Sequence, residues 1–208
     1  MPLSFPASAE STAPEAQRLL RFNSQLIDQA LTLVAAHDAI GAPDYALRTG
    51  PHLRHVIEHY EALVLRAVDH VVDYDRRPRD RELERDTRVA RARLNALKQH
   101  LLDWSGATLA QPLRVDGQAG VAGEFEFSTL SSIGRELVFV ASHATHHYAL
   151  LQLYCEQQGM VTDPSLGVAP ATVAHALNSR TLSSHALTAP TTPDPTKEFA
   201  CPTLQTTD

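Results

Sequence analysis

Cysteine is scarce in this chain. Cys155 and Cys201 are the two among 208 residues, which excludes a disulfide framework and any Cys-x-x-Cys metal or redox motif. Cys155 falls in an apolar helical pattern and Cys201 in a polar tail, and both are expected as reduced thiols in a cytoplasmic protein. Long apolar runs are also missing. None approaches the ~20 residues that span a bilayer, and MPLSFPASAESTAPEAQ lacks the basic and apolar regions of a secretory signal. Nor is there an excess of basic charge. A formal net charge of -6 argues against nucleic acid or an anionic membrane as partner. No Gly-x-Gly-x-x-Gly, P-loop, Glu-x-x-His pair or nucleophile elbow occurs.

What is present is enough apolar content for a core, 43% of residues against 20% charged, arranged with helical period. The spacing predicts a first helix over Pro14–His37, with Leu19, Phe22, Leu26, Ala30, Leu33 and Val34 on one face. GAPDYALRTG breaks it. A second helix is expected over Pro51–Val72, where Leu53, Val56, Ile57, Tyr60, Leu63, Val64, Ala67, Val68 and Val71 keep the period. Pro78 in DYDRRPRDRE interrupts it, and a third helix is expected over 82–104, with Glu84 and Arg88 as an i,i+4 pair. PLRV and GEFEF alternate around Gly and Asp, which predicts a short β-hairpin or extended loop. A fourth helix should open at an N-cap Ser131 or Ser132 and close at Gly159. A short helix over Pro170–Leu177 follows. The expected fold class is all-α, a four-helix bundle over 14–178 with the hairpin between helices 3 and 4. Residues 1–13 and the Ser/Thr/Pro-rich 179–208 are expected to be disordered.

Histidine is the abundant oddity, with 11 in the chain. Six fall in two windows: His52, His55 and His59 on the second helix, and His143, His146 and His147 on the fourth. At about 100° per residue, His143 and His147 share a face, while His52 and His59 lie within about 20° of each other. Imidazole nitrogen suits zinc or nickel. Two ligands from one turn and one from a neighbouring helix leave a fourth position open, as in catalytic sites. The zincin pattern is excluded, because Ala144 stands where His-Glu-x-x-His needs Glu. The residues alone leave His55 and His59 open as the second-helix ligand. Cys155, about 12 Å along the axis from His147, is too far to join them. Glu136 is about 10 Å of helix rise from His143, which favours a charge interaction with the helix start over direct contact. Trp104 and Tyr154 are expected to pack.

GPHLRHVIEHYEAL followed by SHATHHYALLQL resembles the DinB-like (DinB/YfiT) superfamily of four-helix metal-binding proteins. VDYDRRPRD and GVAPATVAHA are similar to one uncharacterised branch of it. The resemblance covers roughly 17–177. It implies His55, His143 and His147 as ligands of a divalent ion, most often zinc, with nickel as another. It also implies a small-molecule ligand and, in some relatives, a low-molecular-weight thiol as co-substrate. The implied chemistry is thiol transfer to a small electrophile, or hydrolysis by metal-activated water. A non-catalytic metal- or ligand-binding stress protein is the other expectation. Tyr148 and Leu150 replace the Arg and Gln that many members carry after the second fourth-helix ligand. The superfamily's up-down-down-up topology implies that Arg77 or Arg79 comes near His55 to clamp a carboxylate. His59 and His146 are auxiliary candidates beside the ligands. A homodimer is compatible with this reading; nucleic acid and membrane are not expected partners.

Overall fold

The computed structural model of the protein describes residues 12–40 and 45–186. Those residues are mostly helical, with one small three-stranded sheet. The elements run α1 (Thr12–Ile40), α2 (Thr49–Arg66), β1 (Val71–Asp73), α3 (Arg81–Arg85), α4 (Thr87–Leu102), α5 (Gly106–Leu109), β2 (Pro112–Ala119), β3 (Phe125–Ser132), α6 (Ile133–Gln157) and α7 (Pro170–Ala186). The chain separates into two units, residues 1–169 and 170–208, and α7 is what the second contributes to the description. Of the segments expected to be irregular, residues 1–11 and 187–208, Cys201 among them, lie outside the described residues, whereas 179–186 are helical: α7 runs on to Ala186 past the expected end at Leu177.

Within the first unit, helix pairs α1–α4, α2–α6, α2–α4 and α1–α6 pack on one another. Each buries the stripe its periodicity dictates: Ile27, Ala30 and Val34 from α1, Leu53, Ile57 and Leu63 from α2, Ala90, Leu94, Leu97 and Leu101 from α4, and Leu137, Ala144, Tyr148 and Leu151 from α6. Burying one such aliphatic side chain stabilises by about 1.5–3 kcal/mol. A polar link joins α1 and α2 in this core. The Tyr60 hydroxyl donates to Asn23 Oδ1 at 2.9 Å, and Asn23 Nδ2 donates to the Leu19 carbonyl, so both buried polar groups are satisfied.

The second helix is shorter than its apolar period predicts. It ends at Arg66 rather than Val72, passes through a 3-10 turn (Ala67–Asp69), and reverses at His70, whose φ is 55°. Val71–Asp73 then pairs in parallel with Arg114–Asp116. The β-branched Val71 and Val72 suit that strand, and Val72 is wholly buried there. An all-α reading has no place for this strand. The expected hairpin does form, as β2 and β3 in antiparallel register from Pro112–Ser132 to Ala119–Phe125. The third helix is also divided. Asp86 is extended and its side chain accepts from Arg88 N, which caps α4. Glu84 and Arg88 are therefore not an i,i+4 pair: Glu84 bonds Arg54 at 2.7 Å and Arg88 bonds Asp86.

Two ends fix where the histidine helices start and stop. Ser132 is the N-cap of α6 and accepts from Arg135 N. Gly159 closes the helix at φ 70°, with Met160 N bonding Cys155 O and Gly159 N bonding Glu156 O, the paired bonds of a Schellman ending. At the start of α2, a Cβ on Gly50 would lie 2.1 Å from the Glu84 carbonyl. The missing side chain lets α3 lie directly against α2. Among the described residues, no helix is long and apolar enough to cross a membrane.

Candidate metal centre

The α2 histidines lie beside the core stripe of Leu53, Val56, Ile57 and Tyr60, not within it. Packing α2 on α6 brings them against the fourth-helix pair. Ring centroids are 4.2 Å apart for His55 and His59, 5.0 Å for His55 and His143, 4.8 Å for His55 and His147, 4.3 Å for His59 and His143, and 4.6 Å for His143 and His147. His55, His59 and His143 each present a nitrogen within 4.8 Å of the other two. Three atoms so spaced share a point about 2.8 Å from each, against 2.0–2.1 Å for a zinc–imidazole bond. Bonding distance would require each ring to move inward by roughly 0.7 Å.

His147 touches the same cluster, but its Nδ1 pairs outside it. Its Nδ1 lies 2.9 Å from Nδ1 of His52, so one ring donates and the other accepts. His52 in turn meets the Tyr154 ring at 5.7 Å. The auxiliary His146 is exposed and meets only the edge of the His147 ring, at 6.1 Å.

Hydrogen bonds set which nitrogen each ring offers. His59 Nδ1 donates to the His55 carbonyl at 2.7 Å, which leaves Nε2 with the lone pair. Nε2 of His143 is buried and has no hydrogen-bond partner, a polar nitrogen that folding has desolvated without compensation. His55 Nδ1 accepts from Nη1 of Arg77 at 2.8 Å, which puts the neutral ring's hydrogen on Nε2, so His55 offers a metal its lone pair only when Arg77 releases Nδ1. Burial is the main reason all four rings are hard to protonate. It holds His55 down to about 3 and His59, His143 and His147 to about 4, with the Arg77 cation and neighbouring imidazoles adding to the effect. These are neutral imidazoles, the form that binds metal, and the orphaned His143 nitrogen beside them fits a resident divalent ion.

Arg77 reaches this place because its segment is tied down. The buried Glu58 carboxylate accepts from Asp80 N at 2.7 Å through Oε1. Its Oε2 lies 3.6 Å from both Arg54 and Arg77. Arg77 Nε also donates to the Tyr74 carbonyl. Arg79, the other expected clamp, is exposed and left-handed, with Nη2 donating to the Asp75 carbonyl. It does not reach the histidines. The Tyr74 ring stacks on His59 at 5.5 Å and 13°, and its hydroxyl donates to Glu136 Oε2 at 3.0 Å. Burial and the Glu136 charge raise the Tyr74 pKa, so it stays a donor. Glu136 is buried in the first turn of α6 and also accepts from Ser131 and Arg135. It acts on the cluster through Tyr74, without touching an imidazole. The sequence does not single out Glu58 and Tyr74 as site residues; it groups His52 with His55 and His59, with the expectation that His52 satisfies a buried polar group or reaches solvent.

A groove of about 450 Å³ lined by Leu47, Arg48, Pro51, His52 and Tyr154 opens beside the cluster. There the Arg48 guanidinium lies 5.3 Å over the Tyr154 ring.

Over 105 residues, half of this chain, the sequence is 30% identical to FK506-binding protein 5 of Rhizopus delemar. The match covers 27% of that relative's length. No family model matches the chain, and no solved structure matches it.

Proposed function

We propose that this chain is a four-helix-bundle protein of the DinB-like type that holds one divalent ion, zinc in the first instance, between α2 and α6. His55 and His143 are its ligands, with a third imidazole from His59 or His147. The single observation that carries this reading is the buried, unpartnered Nε2 of His143, placed among neutral imidazoles. When bound, such an ion supplies positive charge that favours the thiolate form of a coordinated thiol.

The chain's own residues do the rest. The His59 Nδ1 bond to the His55 carbonyl keeps that ring's Nε2 aimed at the cluster. Tyr74 braces the His59 face, and Glu136 braces Tyr74. Arg77 presents a guanidinium at the rim, where it orients an anionic group of a small molecule. Transfer of a low-molecular-weight thiol to a small electrophile in the cytoplasm is the reaction that this arrangement supports best. The test compares zinc-loaded with chelated protein on such a thiol and an alkylating electrophile. Turnover by the loaded form alone supports the reading; equal rates in both forms contradict it.

A second reading, a metal- or ligand-binding protein without turnover, draws on a specific observation. The buried carboxylates near the cluster, Glu58 and Glu136, are both committed to other partners, so neither is free to act as a general base. Stoichiometric zinc without turnover of any thiol–electrophile pair would favour it.

A further inference from the structure

We propose that β3 is the pairing edge of a homodimer, in which two copies join their β3 strands antiparallel about a two-fold axis at Ser128 to form one continuous sheet. This edge is separate from the metal centre. In the order β1-β2-β3 both outer strands are edges, but they differ in protection. β1 is three residues long with Val72 buried at its centre. β3 is eight residues long, and Phe125–Leu130 are all exposed. Proteins usually blunt such an edge with proline, charge, a bulge or a covering element. FEFSTLSS has no proline and one charge, Glu126. Its register with β2 runs without a bulge, and Phe125, Phe127 and Leu130 are 55%, 39% and 85% exposed.

The ladder shows which backbone groups await a partner. Ile133 N donates to the Gln111 carbonyl, and Arg114 N donates to the His70 carbonyl. Odd-numbered residues of β2 therefore bond toward β3, and even-numbered ones toward β1. In β3 the backbone groups of Glu126, Ser128 and Leu130 point away from the sheet. An axis through Ser128 matches these three to their own copies: Ser128 to Ser128, and Glu126 to Leu130 in both directions. Each such pair exchanges two hydrogen bonds.

The side chains agree with that register. Glu126 meets Leu130 of the second copy, not a second carboxylate. Phe127 meets Thr129 of the second copy at a non-hydrogen-bonded position, where side chains lie closest. Aromatic with β-branched is a favourable cross-strand pair. Centring the axis on Glu126 would oppose two carboxylates, and centring it on Leu130 would run the ladder into α6. The axis at Ser128 overlaps the exposed strand and avoids both.

The test is sedimentation velocity of the full, untagged chain at up to about 100 µM, a range that detects micromolar association. The expected mass is twice 22.8 kDa. Leu130→Glu changes only a solvent-facing side chain of the monomer and sets a second carboxylate opposite Glu126 of the other copy, so it should restore single-chain mass with unchanged circular dichroism. Ser128→Pro, which removes the donor at the axis, should do the same. Val121→Lys, in the hairpin loop, should leave the dimer intact. A wild-type monomer across the range, or a dimer indifferent to Leu130→Glu and Ser128→Pro, overturns the proposal.

Discussion

Replacing Glu58 by Gln tests how the structure carries Arg77 to the histidines. The side chain of Glu58 is fully buried, and its Oε2 faces two guanidiniums at 3.6 Å each, on Arg54 and Arg77. Those two cations are only 17% and 11% exposed. Glutamine keeps the shape and the Oε1 acceptor for Asp80 N, so the change isolates the charge. Removing one member of a buried ion pair costs about 3–5 kcal/mol. Arg54 keeps Glu84 at 2.7 Å and Arg77 keeps the Tyr74 carbonyl, which favours the lower end, about 3 kcal/mol. With a urea m-value of about 2 kcal/mol/M, the midpoint should fall by ~1.5 M with m unchanged. Glu58→Ala should cost about 1 kcal/mol more, because the Asp80 N–H then loses its acceptor. A midpoint shift below ~0.3 M in Glu58→Gln would refute the claim that this carboxylate balances the two arginines.

Two further outcomes follow from the same geometry. Arg77→Ala should weaken binding of a small carboxylate to the zinc-loaded protein by roughly 10–100-fold while zinc stays bound, the loss of one charge-assisted bond. Arg79→Ala should leave that affinity unchanged, and calorimetry with both variants checks the contrast. In EDTA, stability should fall as pH drops from about 6.5 toward 4. The unfolded histidines take up protons near 6.5, whereas His59, His143 and His147 resist until about 4, so the unfolded state binds more protons in that window. Urea midpoints from pH 7.5 to 4.5 should show this slope, and it should flatten in a His59→Asn, His143→Asn double variant. An unchanged slope in that variant would count against neutral buried imidazoles.

Where local chemistry decides the structure, the sequence was legible. The stripes of α1, α4 and α6, the Ser132 cap, the Gly159 ending and the hairpin alternation are all short-range signals. The failures are non-local or masked by composition. Val71 and Val72 continue an apolar period that fits a helix as well as a strand, and the pairing that selects the strand lies about forty residues away. Asp86 breaks a helix by capping the next one, a role a single Asp in a charged run does not announce. At the centre, helical geometry grouped His143 with His147 and His52 with His59. It was silent on His147 turning to His52, and on Arg77 reaching His55 while Arg79 stays outside. Those contacts depend on how α2 meets α6 and on the Glu58 anchor, and neither has a period to read.

The central claim is tested most directly by zinc titration of untagged protein against a chromophoric chelator. The account predicts one equivalent bound by the wild type. His143→Ala should weaken it by roughly 100-fold or more, as loss of one of a few ligands that together supply on the order of 10 kcal/mol. His146→Ala should bind as the wild type does. A folded wild type that takes up no zinc, or a His143→Ala variant that binds it equally well, would contradict the account.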